Sequence, residues 1–179
     1  MPRKPLPIKL ETVDPPEKAI LLVKYPTTKL NQREAIRISQ KLRITYAKQL
    51  GVINFGEMEN AILTHNYEAH RNLAVVGKKI VGAIAFHFEE ISEVIYIDHV
   101  GTLMAPKGTG AELVRTAVID AAEGAVGMAL ESTPNAAKFW ERLGFKRNNQ
   151  VSYVFEADFK RVREIKQALG STGRVKDEQ

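Results

Sequence analysis

The 179-residue chain contains no cysteine. That excludes disulfides, thiolate metal sites and a cysteine nucleophile. Aromatic residues are scarce, at 7%, and are not interleaved with the basic ones. This speaks against stacking on single-stranded nucleic acid. No apolar run approaches the roughly 20 residues that a membrane span requires. The opening stretch, M-P-R-K-P-L-P-I-K-L, has no apolar core long enough for a secretory signal. A cytoplasmic protein is the expectation. The four histidines show neither H-x-x-x-H spacing nor sequence pairing with acids, so no metal is expected.

Length favours one domain with a real core, and 44% hydrophobic with 26% charged residues is ordinary for a globular protein. The net charge of +5 is unevenly spread. Residues 1–50 hold 11 basic and 4 acidic side chains, residues 51–137 hold 5 and 11, and residues 138–179 hold 10 and 6. The middle of the chain is therefore acidic between two basic flanks. An acidic cleft built there would attract a cationic acceptor such as an amine, although the same carboxylates also suit solvated faces.

Five of the eight prolines fall in residues 1–18, which read as an extended basic arm. Ala19 to Tyr25 reads as a first strand, closed by Pro26. Thr28 to Leu50 reads as a long helix with Ala35, Ile38, Leu42 and Tyr46 on one face. Arg33, Arg37 and Lys41 form a basic stripe that suits either phosphates or solvent. Gly51 and Gly56 bracket a loop, and Glu57 to Tyr67 is a second helical stretch. Asn72 to Val76 and Ile80 to Phe88 form a hairpin about Gly77. Near the end, Phe145 to Arg147 and Val151 to Glu156 form another, with a turn at Asn148-Asn149. Asp158 caps a final helix, Phe159 to Leu169, which leaves a disordered tail from Gly170.

The informative stretch lies between. Val94 to Leu103 is an apolar, β-branched strand, with Gly101 marking a bulge or a close backbone approach. After it comes Ala105-Pro-Lys-Gly108-Thr-Gly110, then helical spacing at Leu113, Ala117 and Ala121, with Gly124 as a stop. Two glycines where a turn becomes a helix let bare N–H groups reach an anion, and the helix N-terminus adds positive potential. This is the physics of a pyrophosphate cradle. Val126 to Ser132 is another buried strand, and Thr133 to Leu143 a short helix ending in Phe139-Trp-Glu-Arg-Leu-Gly144-Phe145.

On these two motifs, residues 19–156 resemble the GCN5-related N-acetyltransferase (GNAT) superfamily. Its members place the acetyl-CoA pyrophosphate on an R/Q-x-x-G-x-G/A turn after strand 4, and close a later helix with F-Y-x-x-x-G-F. Here Ala105 replaces the first Arg or Gln, leaving Lys107 to compensate, and Trp140 stands where Tyr is frequent. An indole N–H donates a hydrogen bond but delivers no proton.

The resemblance implies an α/β (α+β) fold, a mixed and mostly antiparallel sheet flanked by helices. The arm (1–18), the acyltransferase domain (19–157) and an additional C-terminal helix and tail (158–179) would divide the chain, with the last helix a possible oligomer contact. The implied activity is transfer of acetyl from acetyl-CoA to a small amine, peptide or lysine. The alternative is a catalytically degenerate module within an assembly. Cofactor contacts would come from Val100, Gly101, Thr102, Lys107, Gly108, Thr109, Gly110, Ala111, Asn135, Phe139 and Trp140. A splay between strands 4 and 5 would open backbone groups near Gly101.

Three things are needed chemically: a neutral amine, donors for an oxyanion and an exit for the thiolate. Asp98, then His99 and Glu131, are the candidate bases. Strand alternation puts Asp98 with Tyr96 and Val94, and His99 on the opposite face. Tyr153 or Tyr96 could act as the acid, or the thiolate could leave unprotonated.

Overall fold

The computed structural model describes residues 21–25, 32–64, 69–121, 125–148, 154–158 and 174–177. The expected arm, the Phe159–Leu169 helix, the Gly124 stop and Tyr153 lie outside the described residues.

Apolar alternation along the middle of the chain builds the sheet. In order come β1 (Leu21–Tyr25), α1 (Gln32–Thr45), α2 (Ile53–Leu63), β2 (His70–Val76), β3 (Lys79–Glu89), β4 (Val94–Thr102), α3 (Thr109–Ala121), β5 (Gly127–Glu131), α4 (Ala137–Arg142), β6 (Lys146–Arg147), β7 (Val154–Asp158) and β8 (Arg174–Asp177). The strands order as β6-β7-β5-β4-β3-β2-β1-β8. β1 to β4 are antiparallel neighbours; β4 and β5 are parallel. A parallel pair needs a crossover, and α3 supplies it. β8 pairs in parallel with β1 and corrects the expectation of a disordered tail from Gly170. Edge pairing runs through main-chain groups, so Arg174–Asp177 needed no apolar pattern to join.

β3 shows how one strand feeds two cores. Ile84 and Phe86 join Ile95, Ile97, Leu113, Val114, Met128 and Trp140 on the α3/α4 face. Ala83 and Ala85 join Ala35, Ile38, Leu42, Tyr46, Phe55 and Met58 on the α1/α2 face. The predicted face of α1 is therefore the buried one.

The first long helix is shorter than expected. It stops at Thr45, and a 3₁₀ turn follows over Ala47–Gln49. Tyr46, buried at 2% exposure, sends its hydroxyl to the Ile80 carbonyl of β3 at 2.6 Å. That anchor takes the chain out of the helical path. The expected loop between Gly51 and Gly56 is also corrected, because α2 begins at Ile53 and Gly56 lies inside it. Val52 precedes the helix without a side-chain cap, so no capping residue announces this start.

The bulge in β4 is not at Gly101. Ala85 pairs with His99 but Phe86 pairs with Ile97, so Asp98 is the extra residue. Gly101 instead provides the close approach. A Cβ there would sit 2.7 Å from both Asn54 O and Met58 N of α2. Since the obstruction is backbone, α2 would have to lift. Gly101→Ala should lower unfolding stability by about 1–3 kcal/mol, read from urea denaturation. An unchanged midpoint would show that α2 is not seated by this contact.

Candidate active site

β4 and β5 remain paired from Val94↔Gly127 to Ile97↔Leu130. β4 then continues to Thr102, while β5 ends at Glu131. Past Ile97 the β5-facing edge of β4 has no ladder partner among the described residues. A cleft of about 490 Å³ occupies this fork. Asp98, His99, Val100, Gly101 and Thr102 form one wall, and Leu130, Glu131, Ser132 and Thr133 another. Asn135, Ala136, Phe139 and Trp140 close one side, and Ile53, Asn54 and Glu57 of α2 the other.

Gly110 reaches the cleft from α3. The turn before it has Gly108 at φ 87°, a conformation that L side chains rarely adopt. The first full helical bond runs from the Glu112 N–H to Gly108 O at 3.0 Å, so earlier amides lie ahead of the α3 ladder. A Cβ at Gly110 would meet the Phe139 ring at 3.4 Å. Bare backbone at this helix start fits an anionic group such as a pyrophosphate. The other expected contacts here are of different kinds. Thr109 is buried, with its hydroxyl turned back on Pro106 O at 2.6 Å. Ala111 is packed into the core. Ala111 can offer only main chain, and the Thr109 N–H is already bonded to Pro106 O at 3.2 Å. Lys107 is exposed on the turn and does not line the cleft. Glu112, in the first turn, is 3% exposed and bonded to Arg115 at 2.9 Å, which neutralises its charge near the helix N-terminus.

On the opposite side two imidazole–carboxylate pairs meet. His87 Nδ1 lies 2.8 Å from Asp98 Oδ2, and His99 Nδ1 lies 3.2 Å from Glu57 Oε2. The bulge corrects the expectation that His99 faces away from Asp98. His99 reaches Glu57 of α2, and Asp98 reaches His87 two residues beyond core-facing Ala85 on β3. Both side chains therefore lie on the α1/α2 side. Burial depresses the Arg71 guanidinium, and the charge of Asp98 opposes that effect. Arg71 donates to Thr64 O at 2.8 Å, and its Nε has no hydrogen-bond partner among the described residues.

The GNAT resemblance implies that the first two helices wall the acceptor pocket and that their loop helps choose the substrate; α2 residues do line the cleft, but sequence reasoning names none of them. Ile53 and Asn54 were assigned to a loop, and Glu57 to a helix start with no chemistry attached. The apolar spacing of Phe55, Met58 and Ile62 could have extended α2 backwards. That extension carries Glu57 against β4 at Gly101. Trp140, 3% exposed, stacks edgewise on Phe139 and Phe145 with centroids at 4.9 and 5.3 Å.

No group of three or more residues that could hold a metal ion is found among the described residues. No helix among them is long and apolar enough to cross a membrane. No family model and no curated protein matches the chain. Solved structures do. The chain is similar to Tetrahymena GCN5, with 12% identity and a TM-score of 0.53 over 80% of this chain and 96% of that one. It is similar to aminoglycoside 6'-acetyltransferase type Ii, with 18% identity and a TM-score of 0.51 over 77% of this chain and 96% of that one. It is similar to a protein of Desulfovibrio desulfuricans assigned to the GNAT family, with 12% identity and a TM-score of 0.57 over 79% and 99% of the two chains. The chain has the GNAT fold.

At the paired end of the fork, Tyr96 is pushed up to about 12 by burial first, then by the carboxylates of Glu131, Asp98 and Glu89. A phenol raised in the folded state keeps its proton after the unfolded chain has lost one. Its contribution to stability is therefore complete below pH 10 and is lost as pH climbs from 10 towards about 12. Tyr96→Phe should flatten that part of the stability profile, measured by denaturation at stepped pH. An identical alkaline decline in the variant would remove Tyr96 as its source.

Proposed function

We propose that the protein is an acetyl-CoA-dependent N-acetyltransferase acting on a cationic amine. The observation that carries this reading is the open fork itself. It lies against an anion-compatible helix start at Gly110 and is lined by three carboxylates. Glu57, Asp98 and Glu131 face the cleft, and neither Lys nor Arg lines it. The same cleft thus combines a helix start suited to a pyrophosphate with carboxylates suited to an ammonium group.

Acetyl-CoA, when bound, supplies a thioester whose acetyl carbon accepts the amine nitrogen as the C–S bond breaks. The chain's own residues would do the rest. Bare backbone at Gly108 and Gly110 receives the pyrophosphate. The unpaired edge of β4 beyond Ile97 offers main-chain donors where negative charge develops on the acetyl oxygen. Asp98, His99 and Glu131 are the candidates to take a proton from the amine, since a free lysine amine is protonated up to a pH of roughly 10.4. Phe139 and Trp140 shield one flank from water. The compartment expected from composition, the cytoplasm, is part of this proposal.

Thiol release from acetyl-CoA over a panel of amines tests the activity, with binding followed by calorimetry. Gly110→Asp places a carboxylate where the anion would lie. An acidic residue suits the first turn of a helix, so folding should survive. Acetyl-CoA affinity should fall at least about tenfold. Undiminished affinity in a folded Gly110→Asp protein would remove this turn from the site.

A further inference from the structure

We propose that His99 takes the proton from the acceptor, that Glu57 positions its ring, and that Asp98 is a structural partner of His87. This rests on the acetyltransferase reading and deepens it.

Three observations separate the two carboxylates. The first is occupancy. Asp98 is bound at 2.8 Å by His87, in a pair with side chains 15% and 19% exposed, and its charge also offsets the buried Arg71. Protonating or displacing Asp98 would disturb both partners. The second is access. His99 and Glu57 line the cleft at 34% and 32% exposed, whereas Asp98, which also lines it, is 15% exposed and its partner His87 lies outside the lining. The third is polarity. Glu57 is bonded to Nδ1 of His99, and a carboxylate there holds the ring proton on Nδ1. Nε2 then keeps its lone pair and can accept a proton.

The placement of Glu57 is built into the fold. The backbone of α2 lies against Gly101, two residues beyond His99, and a Cβ on Gly101 would come within 2.9 Å of Glu57 Cβ. Two residues beyond Glu57, α2 is tied to α1. Arg43 donates Nε and Nη2 to the two oxygens of Glu59, each at 2.6 Å, and Ser39 donates to Glu59 at 2.9 Å. The helix that carries Glu57 is thus fixed on both sides.

The step balances simply. The ammonium proton moves to His99 Nε2. The imidazolium passes that proton to solvent; the freed nitrogen forms the C–N bond to the acetyl carbon and gives its second proton to Nε2, and the C–S electron pair leaves with the thiolate. The imidazolium proton then goes to that thiolate or to solvent. Glu57 keeps its charge throughout.

The test has two arms on the full chain. In ¹⁵N spectra of the neutral imidazoles, His99 should carry its proton on Nδ1, and Glu57→Ala should move it to Nε2. A His99 already protonated on Nε2 in the unaltered protein overturns the proposal, whatever the activity. In the thiol-release assay, His99→Ala should lower kcat by roughly 10²–10⁴-fold, with acetyl-CoA affinity unchanged. Added imidazole should restore part of the rate, which a merely structural role would not allow. Glu57→Ala should lower kcat by roughly tenfold or more, and Asp98→Asn should cost less than His99→Ala. An active enzyme that keeps its rate in His99→Ala overturns the base assignment alone. A chain that neither binds acetyl-CoA nor releases thiol overturns the acetyltransferase reading, and the base assignment with it.

Discussion

β4 is longer than β5 and carries one residue more than β3 can pair. Both mismatches act at the same place. Ile97 is the last residue with a β5 partner, and Asp98 is the residue that β3 leaves unpaired. An unpaired residue increases local twist and re-aims its side chain. Here it turns Asp98 and His99 to one side while β4 departs from β5. The cleft follows from this departure, because a closed ladder at Val100 or Thr102 would leave no space for a ligand. Unsatisfied main-chain groups are costly in a dry interior, so such an edge persists where water or a ligand can reach it.

The rest of the architecture holds the fork open without distorting it. On one face, Ile95, Ile97, Met128 and Leu130 pack with Leu113, Trp140 and Leu143, which stabilises the paired part of β4 and β5. On the other, α2 presses on β4 at Gly101. The open segment is therefore supported from the α1/α2 side while its β5-facing edge stays free. α3 adds a cost and its compensation. Glu112 and Arg115 are both nearly buried, and such a pair gains little net stability even when bonded. Its effect near the turn is to remove a negative charge from a helix start that otherwise favours anions.

Much of this was legible in the residues. The strand–glycine–helix order around Gly108 and Gly110, the α1 face of Ala35, Ile38, Leu42 and Tyr46, and the hairpin at Gly77 all follow from spacing and turn chemistry. The residues that converge on the cleft were largely those expected from both motifs: Asp98 to Thr102, Gly110, Glu131, Asn135, Phe139 and Trp140. Two kinds of information were hidden. A bulge has no fixed residue signature, so simple alternation put His99 on the wrong side. An uncapped helix start has no signature either, so α2 began too late and Glu57 was passed over. Gly101 was ambiguous between a bulge and a close approach, and only the position of Asn54 and Met58 decides between them. β8 illustrates a third limit, because pairing at a sheet edge runs through main-chain groups that composition does not reveal.

The departing thiolate poses the remaining chemical question for the proposed reaction. Trp140 replaces the family's frequent tyrosine, and its burial between Phe139 and Phe145 makes it part of the core. Tyr96 does not line the cleft, and burial together with the nearby carboxylates opposes loss of its proton. No tyrosine lines the cleft among the described residues. A thiol has a pKa of roughly 8.5, so the thiolate is a tolerable leaving group near neutral pH without a dedicated acid. A charged imidazolium formed during amine deprotonation could also return its proton at this stage. On that account the same cleft needs one well-oriented base and no separate phenol, and the change from tyrosine to tryptophan exchanges a proton donor for packing without closing the route.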